Sequence, residues 1–188
     1  MERDTDMRQI ITGQILLIVC CMFYLIWWYL GYKPGVYADR IGGINGILLM
    51  ATAVFGMAGI MFSLMPVFAT NKAKYSQMYI VIGGIAAYIL LLFITKYAFH
   101  RIVTTELILI VIWTMLEMSV LNTLSGSEIF TGTKLIIMYF VIAIAFVISM
   151  VLYVAYYRME EMKAFYAAMI PLVTEGVSMG ILVVLLSA

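Results

Sequence analysis

Six long runs of apolar residues, separated by short polar stretches, constrain the fold of this chain more than any other feature. A helix that crosses the hydrocarbon core of a bilayer needs about 20 such residues. Because none of the runs alternates apolar and polar residues, a membrane β-barrel is excluded. The sequence predicts an all-α, polytopic integral membrane protein with six transmembrane helices near residues 10–30, 42–65, 77–95, 103–124, 135–157 and 164–186.

The composition agrees with this class of protein. Of the 188 residues, 65% are hydrophobic and 11% are charged, whereas a soluble domain is about 45–50% apolar and about 25% charged. The formal net charge is +1, so the chain has no basic excess with which to bind nucleic acid. No polar stretch is long enough to fold by itself. We therefore expect residues 1–188 to form a single six-helix membrane domain, with an uncleaved first span, in the plasma membrane.

Basic residues do not orient the spans, but aromatic residues distinguish the two membrane faces. An even number of spans places both termini on one side, and five of the 11 Lys and Arg residues fall there against six on the other, so the positive-inside rule assigns no direction. Most Tyr and Trp residues fall on the side away from the termini, here called the aromatic side. They either anchor that face at the interface or line a vestibule. Trp27, Trp28 and Tyr157 are the vestibule candidates.

Carboxylates inside the predicted spans are the main candidates for function, since an acidic side chain at mid-bilayer costs at least about 2.5 kcal/mol. Glu175 lies in the sixth span after Pro171, which is expected to kink the helix. Glu117 shares a face of the fourth span with Trp113. No basic residue lies at matching depth, so we expect these acids to hold or share protons. The candidate substrate- or ion-binding residues are Glu175, Glu117, Trp113, Thr174, Ser178 and Asn122.

A structural role is the alternative for these residues. Protonated Glu117 and Glu175 would then only hydrogen-bond between helices, a contact that contributes about 0.6 to 2 kcal/mol. Glu106 lies closer to the end of its span, where pairing with Arg101 explains it.

Sequence patterns for metal, cofactor or catalytic sites are incomplete. Cys20 and Cys21 are adjacent and point about 100° apart on a helix, so they are unsuited to a shared disulfide or to zinc. His100 lacks co-ligands. Intramembrane proteolysis would need a Ser/His, paired Asp or HExxH arrangement. We predict no metal and no cofactor, and we consider an enzymatic function less well supported than a non-enzymatic one.

Small residues suggest where helices pack closely. Their number in the second and third spans predicts that these spans are interior, whereas the fifth span is expected to face lipid over much of its surface. The residues concerned are Gly42, Gly46, Thr52, Gly56, Gly59, Gly83, Gly84, Ala86, Ala87, Gly176 and Gly180.

The sequence is compatible with three functions. The first is a transporter, or transport component, for a small molecule or ion, with proton coupling through the intramembrane glutamates. The second is an accessory subunit of a larger membrane complex, with partner subunits or further copies of the chain. The third is a lipid-modifying enzyme. In size and span number the chain is similar to the substrate-capturing subunits of energy-coupling-factor vitamin transporters, although it has none of their sequence motifs. An elongated pocket reaching Glu175 would favour transport.

Overall fold

A computed structural model describes residues 2–34, 42–69, 74–100 and 105–187. Its helices are α1 (Glu2–Tyr32), α2 (Gly42–Ala69), α3 (Lys74–Phe99), α4 (Thr105–Gly126), α5 (Gly132–Ala155), α6 (Glu161–Ala167) and α7 (Met169–Ser187), with a 3-10 turn at Tyr156–Arg158. Six helical segments are long and apolar enough to cross a membrane, the sixth being α6 and α7 together. The predicted all-α, six-helix membrane fold is confirmed, and the protein is an integral membrane protein.

Two prolines act differently from the sequence prediction. Helix α2 does not end at Pro66 but continues to Ala69. The sixth span is interrupted at Ala168, and Pro171 lies in the first turn of α7 rather than at a central kink. The first turn of a helix has amide groups without an intrahelical acceptor, so a proline there costs no hydrogen bond.

Helix α4 is the centre of the bundle. Of its most apolar stretch, 61% is buried, against 11% for α2 and 6% for α3. The prediction that the second and third spans are interior is therefore wrong. Small residues permit close packing, but lipid is as apolar as another helix and can cover the same face. A Cβ atom on Gly83 would accordingly have no neighbouring atom within 4 Å, whereas Gly84, the next residue, packs against Met115 of α4.

Glycine does bring α1 and α2 together. A Cβ atom on Gly13 would lie 2.6 Å from the backbone nitrogen of Ser63 and 2.9 Å from the carbonyl oxygen of Gly59. A Cβ atom on Gly59 would lie 2.7 Å from Leu17. The two backbones approach so closely that neither position has room for a side chain. Gly176 and Gly180, by contrast, have no neighbour at this range.

The half of the bundle that holds the termini is tightly packed, and we call this cluster the terminal core. It joins α1, α4, α5 and α7 near the ends that lie on the terminal side. Phe130 from the α4–α5 connection closes it, and the amides of Ile129 and Phe130 donate to the carbonyl of Leu124 at 3.0 and 3.1 Å. Its buried members include Ile10, Val120, Leu121, Leu124, Phe130, Met138, Ile142, Leu182 and Leu186.

Candidate functional site

The half of the bundle nearer the aromatic side, here called the hollow half, holds a cavity of about 430 Å³. On each bordering helix the lining residues recur every three or four positions, so the cavity runs parallel to the helices. The ten steps along α4 from Glu106 to Leu116 rise roughly 15 Å, which gives the length of the cavity. The main stripes are Leu17, Cys21, Tyr24 and Trp28 on α1; Glu106, Leu109, Trp113 and Leu116 on α4; and Leu172, Glu175 and Met179 on α7.

Small side chains explain why this half is open. Helix α2 presents Thr52 and Gly56 to the cavity, α5 presents Ser149, and the break between α6 and α7 presents Ala167 and Ala168. At corresponding places in the terminal core, Leu and Phe side chains fill the space between the helices. Both regions are apolar, and side-chain volume distinguishes them.

Glu175 lies on the wall of the cavity and is partly buried. Its titratable neighbours are Cys21 of α1 and Glu117 of α4, which interact with it electrostatically. Among the described lining residues there is no Lys, Arg or His. The cavity thus reaches Glu175, and the predicted binding role of this residue stays a prediction.

Glu117 lies behind the cavity rather than on its wall. It is fully buried and its side chain is next to that of Gln14 of α1, which is also fully buried. The two groups are neighbours without completing a well-formed hydrogen bond. Gln14 lies between Ile10 of the terminal core and Leu17 of the cavity wall. The pair, which we call the Gln14–Glu117 pair, therefore separates the packed half from the hollow half.

Gln14 is the main residue that the sequence analysis missed. It is an amide inside the first apolar run and follows Gly13, the residue at which α1 touches α2. A polar side chain beside a close helix contact points inward, because lipid would leave its hydrogen-bonding groups unsatisfied. That signal was present in the sequence.

Trp113 also lies on the cavity wall. It is 8% exposed, and its indole Nε1 has no hydrogen-bond partner. Ser149 of α5, on the same wall, is fully buried with an equally unpartnered hydroxyl group. Buried polar groups are hydrogen-bonded in the great majority of cases, so these two atoms indicate where a ligand could bind.

Two predicted residues of α7 satisfy their hydrogen bonds within their own helix. The Thr174 hydroxyl donates to the carbonyl oxygen of Pro171 at 2.8 Å. The Ser178 hydroxyl donates to the carbonyl oxygen of Glu175 at 3.1 Å. Neither residue is part of the cavity wall.

Asn122 faces α3 instead of the cavity. Its Oδ1 accepts a hydrogen bond from the Ser76 hydroxyl, and its Nδ2 donates to Oε1 of Gln77 at 3.2 Å. This polar contact joins α4 to α3 near the terminal side. The structure therefore does not bring Asn122 together with Glu117 and Glu175 at one site.

The three vestibule candidates differ in their position relative to the cavity. Trp28 lies on the cavity wall, and its Nε1 donates to the carbonyl oxygen of Phe165 at 3.3 Å. Trp27 packs against Tyr24 and Tyr32, with ring centroids 5.2 and 5.1 Å apart, and is not on the wall. The side chain of Tyr157 lies outside the described part of the structure. Tyr24, Tyr153 and Tyr156, which were not singled out from sequence, also line the cavity.

The aromatic face carries a cation just beyond the first span. Nζ of Lys33 donates to the Tyr29 hydroxyl at 2.8 Å and lies 4.8 Å from the centre of that ring. This hydrogen bond holds the pKa of the Lys33 ammonium group above its ordinary value. The contact is exposed, and Lys33 is not part of the cavity wall.

The described residues form no cluster of three or more His, Cys, Asp or Glu side chains that could hold a metal ion. No protein family model matches the chain, and no curated protein or solved structure is similar enough to count as a match. Function is therefore argued from the cavity and its chemistry.

Proposed function

We propose that this protein is a small-molecule transport component that binds its substrate in the cavity beside Glu175. The cavity is the observation that carries the proposal, because it extends roughly 15 Å along the helices of one half of the bundle while the terminal core closes the other half. A binding site within the bilayer whose passage to one side is blocked by packed side chains suits one of the states that alternating access requires.

Glu175 is the group best placed to couple this transport to protons. It is the intramembrane carboxylate on the cavity wall that lies next to a second one, Glu117. No cation lies among the described residues of the cavity wall, and an isolated buried charge is costly, so the surroundings of these two acids favour their protonated forms. A substrate that changes the surroundings of Glu175 would change that balance, so binding and protonation would be linked.

The first test is to find a ligand and then to remove the carboxyl group. Protein in nanodiscs would be screened by thermal unfolding against a panel of small molecules, since a ligand raises the unfolding temperature of the state that it binds. Uptake of the strongest stabiliser into reconstituted vesicles would then be measured across pH. We expect pH-dependent uptake in the wild type, and its loss in Glu175→Gln without loss of folding.

The matched control is Glu161→Gln, at an exposed glutamate at the start of α6. It should keep the wild-type uptake and pH dependence. Retention of the wild-type pH dependence in Glu175→Gln would contradict coupling through this residue. A panel without any stabiliser or transported compound would contradict the transport proposal itself.

An accessory role is the second candidate, and α3 is the observation in its favour. Among the residues that the structure describes, this helix packs substantially only against α4. Its Gly83, Ala86 and Ala87 are small and exposed. Such residues suit contact with another transmembrane helix. Native mass spectrometry from nanodiscs would show whether a partner or second copy is bound and whether Ala86→Leu removes it. A monomer in both proteins would contradict this role.

A further inference from the structure

We propose that the cavity accepts an organic cation, consisting of an ammonium group on an apolar body with one hydrogen-bond acceptor, and that this cation replaces the proton on Glu175. The inference rests on the proposed function and specifies its substrate class. Charge, ring chemistry and unpartnered polar atoms each support it separately.

The charge of the lining favours a cation. Glu106 and Glu175 are acidic, and the described members of the wall include no basic residue. A ligand carboxylate or phosphate would enter an apolar space without a basic side chain to pair with, and burying such an unpaired charge is strongly unfavourable. Amino acids and other zwitterions meet the same obstacle at their anionic end. A simple cation meets only complementary charge.

Aromatic rings support the same choice. Tyr24, Trp28, Trp113, Tyr153 and Tyr156 lie on the wall. The faces of aromatic rings attract cations, and recognition of quaternary ammonium groups by several such rings is a common use of this attraction. The remaining wall is largely aliphatic, which suits an apolar body attached to the cation.

The indole of Trp113 adds a requirement for an acceptor. Its Nε1 can only donate a hydrogen bond, and it is left without a partner on a side chain that is 8% exposed. The unpartnered hydroxyl of Ser149 offers a second polar contact on the same wall. An ether, ester or hydroxyl oxygen on the ligand would satisfy the indole.

Exchange with a proton follows from the position of Glu175. In the empty cavity, the cost of a buried charge favours the protonated carboxyl group. When the ammonium ion binds, the O–H bond of Glu175 breaks, the proton leaves to water, and the carboxylate pairs with the cation. One positive charge enters and one leaves. Affinity should then rise with pH, by up to about tenfold per pH unit while Glu175 is protonated in the empty protein.

Other titratable groups near Glu175 have to be considered in that pH dependence. Helix α1 contributes Cys21 and α4 contributes Glu117, whereas α2 contributes the neutral Thr52 and Gly56, and α5 contributes Ser149. Further along the wall the titratable residues are Cys20, Glu106, Tyr24, Tyr153 and Tyr156. Glu117→Gln therefore serves as the second variant, and it should keep proton release on cation binding.

The test compares three probes of nearly the same shape. They are a phenylhexyl trimethylammonium ion, its neutral analogue with a quaternary carbon in place of nitrogen, and a phenylhexyl sulfonate. Binding would be measured by titration calorimetry in nanodiscs of zwitterionic lipid, in two buffers of different ionisation enthalpy, which counts the protons released. We expect the cation to bind at least about tenfold more tightly than the neutral probe, a difference of about 1.4 kcal/mol, with release of one proton.

Variants then locate the effect. Glu175→Gln should abolish both the charge preference and the proton release, whereas Glu161→Gln should change neither. For the acceptor, an ether oxygen introduced into the cationic probe should increase affinity in the wild type but not in Trp113→Phe. If Glu175→Gln fails to fold, the wild-type charge preference and proton count still decide the question.

The outcomes separate this inference from the proposed function. Equal binding of the cation and its neutral analogue, or cation binding without proton release, would overturn the organic-cation inference while leaving a small-molecule site. Loss of proton release in Glu117→Gln but not in Glu175→Gln would also overturn it. Failure of all three probes and of every compound in the panel would overturn the transport proposal as well.

Discussion

The two halves of this bundle share an apolar composition but differ in packing, and α7 shows the contrast within one helix. Leu182 is fully buried in the terminal core, whereas Leu172, almost three turns earlier, borders the cavity. Between the two halves lies the Gln14–Glu117 pair, fully enclosed. Apolarity inserts both halves into the membrane, and side-chain volume then decides which half is structural and which can hold a ligand.

The largest expected effect is on stability, from truncation of a leucine in the packed half. Leu182→Ala should lower the free energy of unfolding by about 2–5 kcal/mol, because it opens a new cavity in a closed cluster. Leu172→Ala, on the same helix, only enlarges an existing space and should cost clearly less. Thermal or denaturant unfolding in nanodiscs measures both. Equal losses would show that the two halves are packed alike.

The next effect concerns the interface between α3 and α4. A Cβ atom on Gly84 would lie 2.5 Å from Cγ of Met115, whereas Gly83 has no neighbour within 4 Å. Gly84→Val should therefore overpack the interface and cost about 1–3 kcal/mol, with Gly83→Val as the adjacent control. Unfolding measurements would contradict the described packing if Gly83→Val were the more damaging change.

This adjacent pair of glycines also shows how far sequence reasoning reaches. Six spans were predictable because each apolar run alone has the length of a bilayer. Which side of a span faces protein was not, since lipid and a neighbouring helix select the same residues, and α3 was placed inside by mistake. Glu175 could be singled out because an acidic group in a span is costly wherever it lies, and Trp113 because it shares a helix face with Glu117, while the binding role of both stays a prediction. The cavity arises from several small residues on different helices, which no single segment reveals.

A smaller effect is expected at the boundary between the halves. Gln14→Leu would leave the Glu117 carboxyl group buried without its neighbour, at a cost of about 1–3 kcal/mol. The double variant with Glu117→Leu removes both polar groups and should recover part of that loss, because two matched apolar groups can replace a polar pair almost neutrally. Unfolding of the wild type, both single variants and the double variant gives the coupling energy. Strict additivity would show that the two side chains do not interact.

The smallest effect on stability, and a specific one on binding, is expected where the hollow half meets the aromatic face. Trp28 borders the cavity and Trp27, the next residue, does not. Trp28→Leu should weaken binding of a cavity ligand by roughly fivefold, since a ring against a cation or an apolar body contributes on the order of 1 kcal/mol. Trp27→Leu should change affinity less, because this ring is not on the wall and packs against Tyr24 and Tyr32 instead. Binding of one ligand would be titrated with the wild type and both variants, and their unfolding temperatures would be measured. Together these measurements show whether each tryptophan contacts the ligand or only anchors the protein at the interface. Equal affinities, with lower unfolding temperatures in both variants, would mean that both rings only hold the protein at the interface.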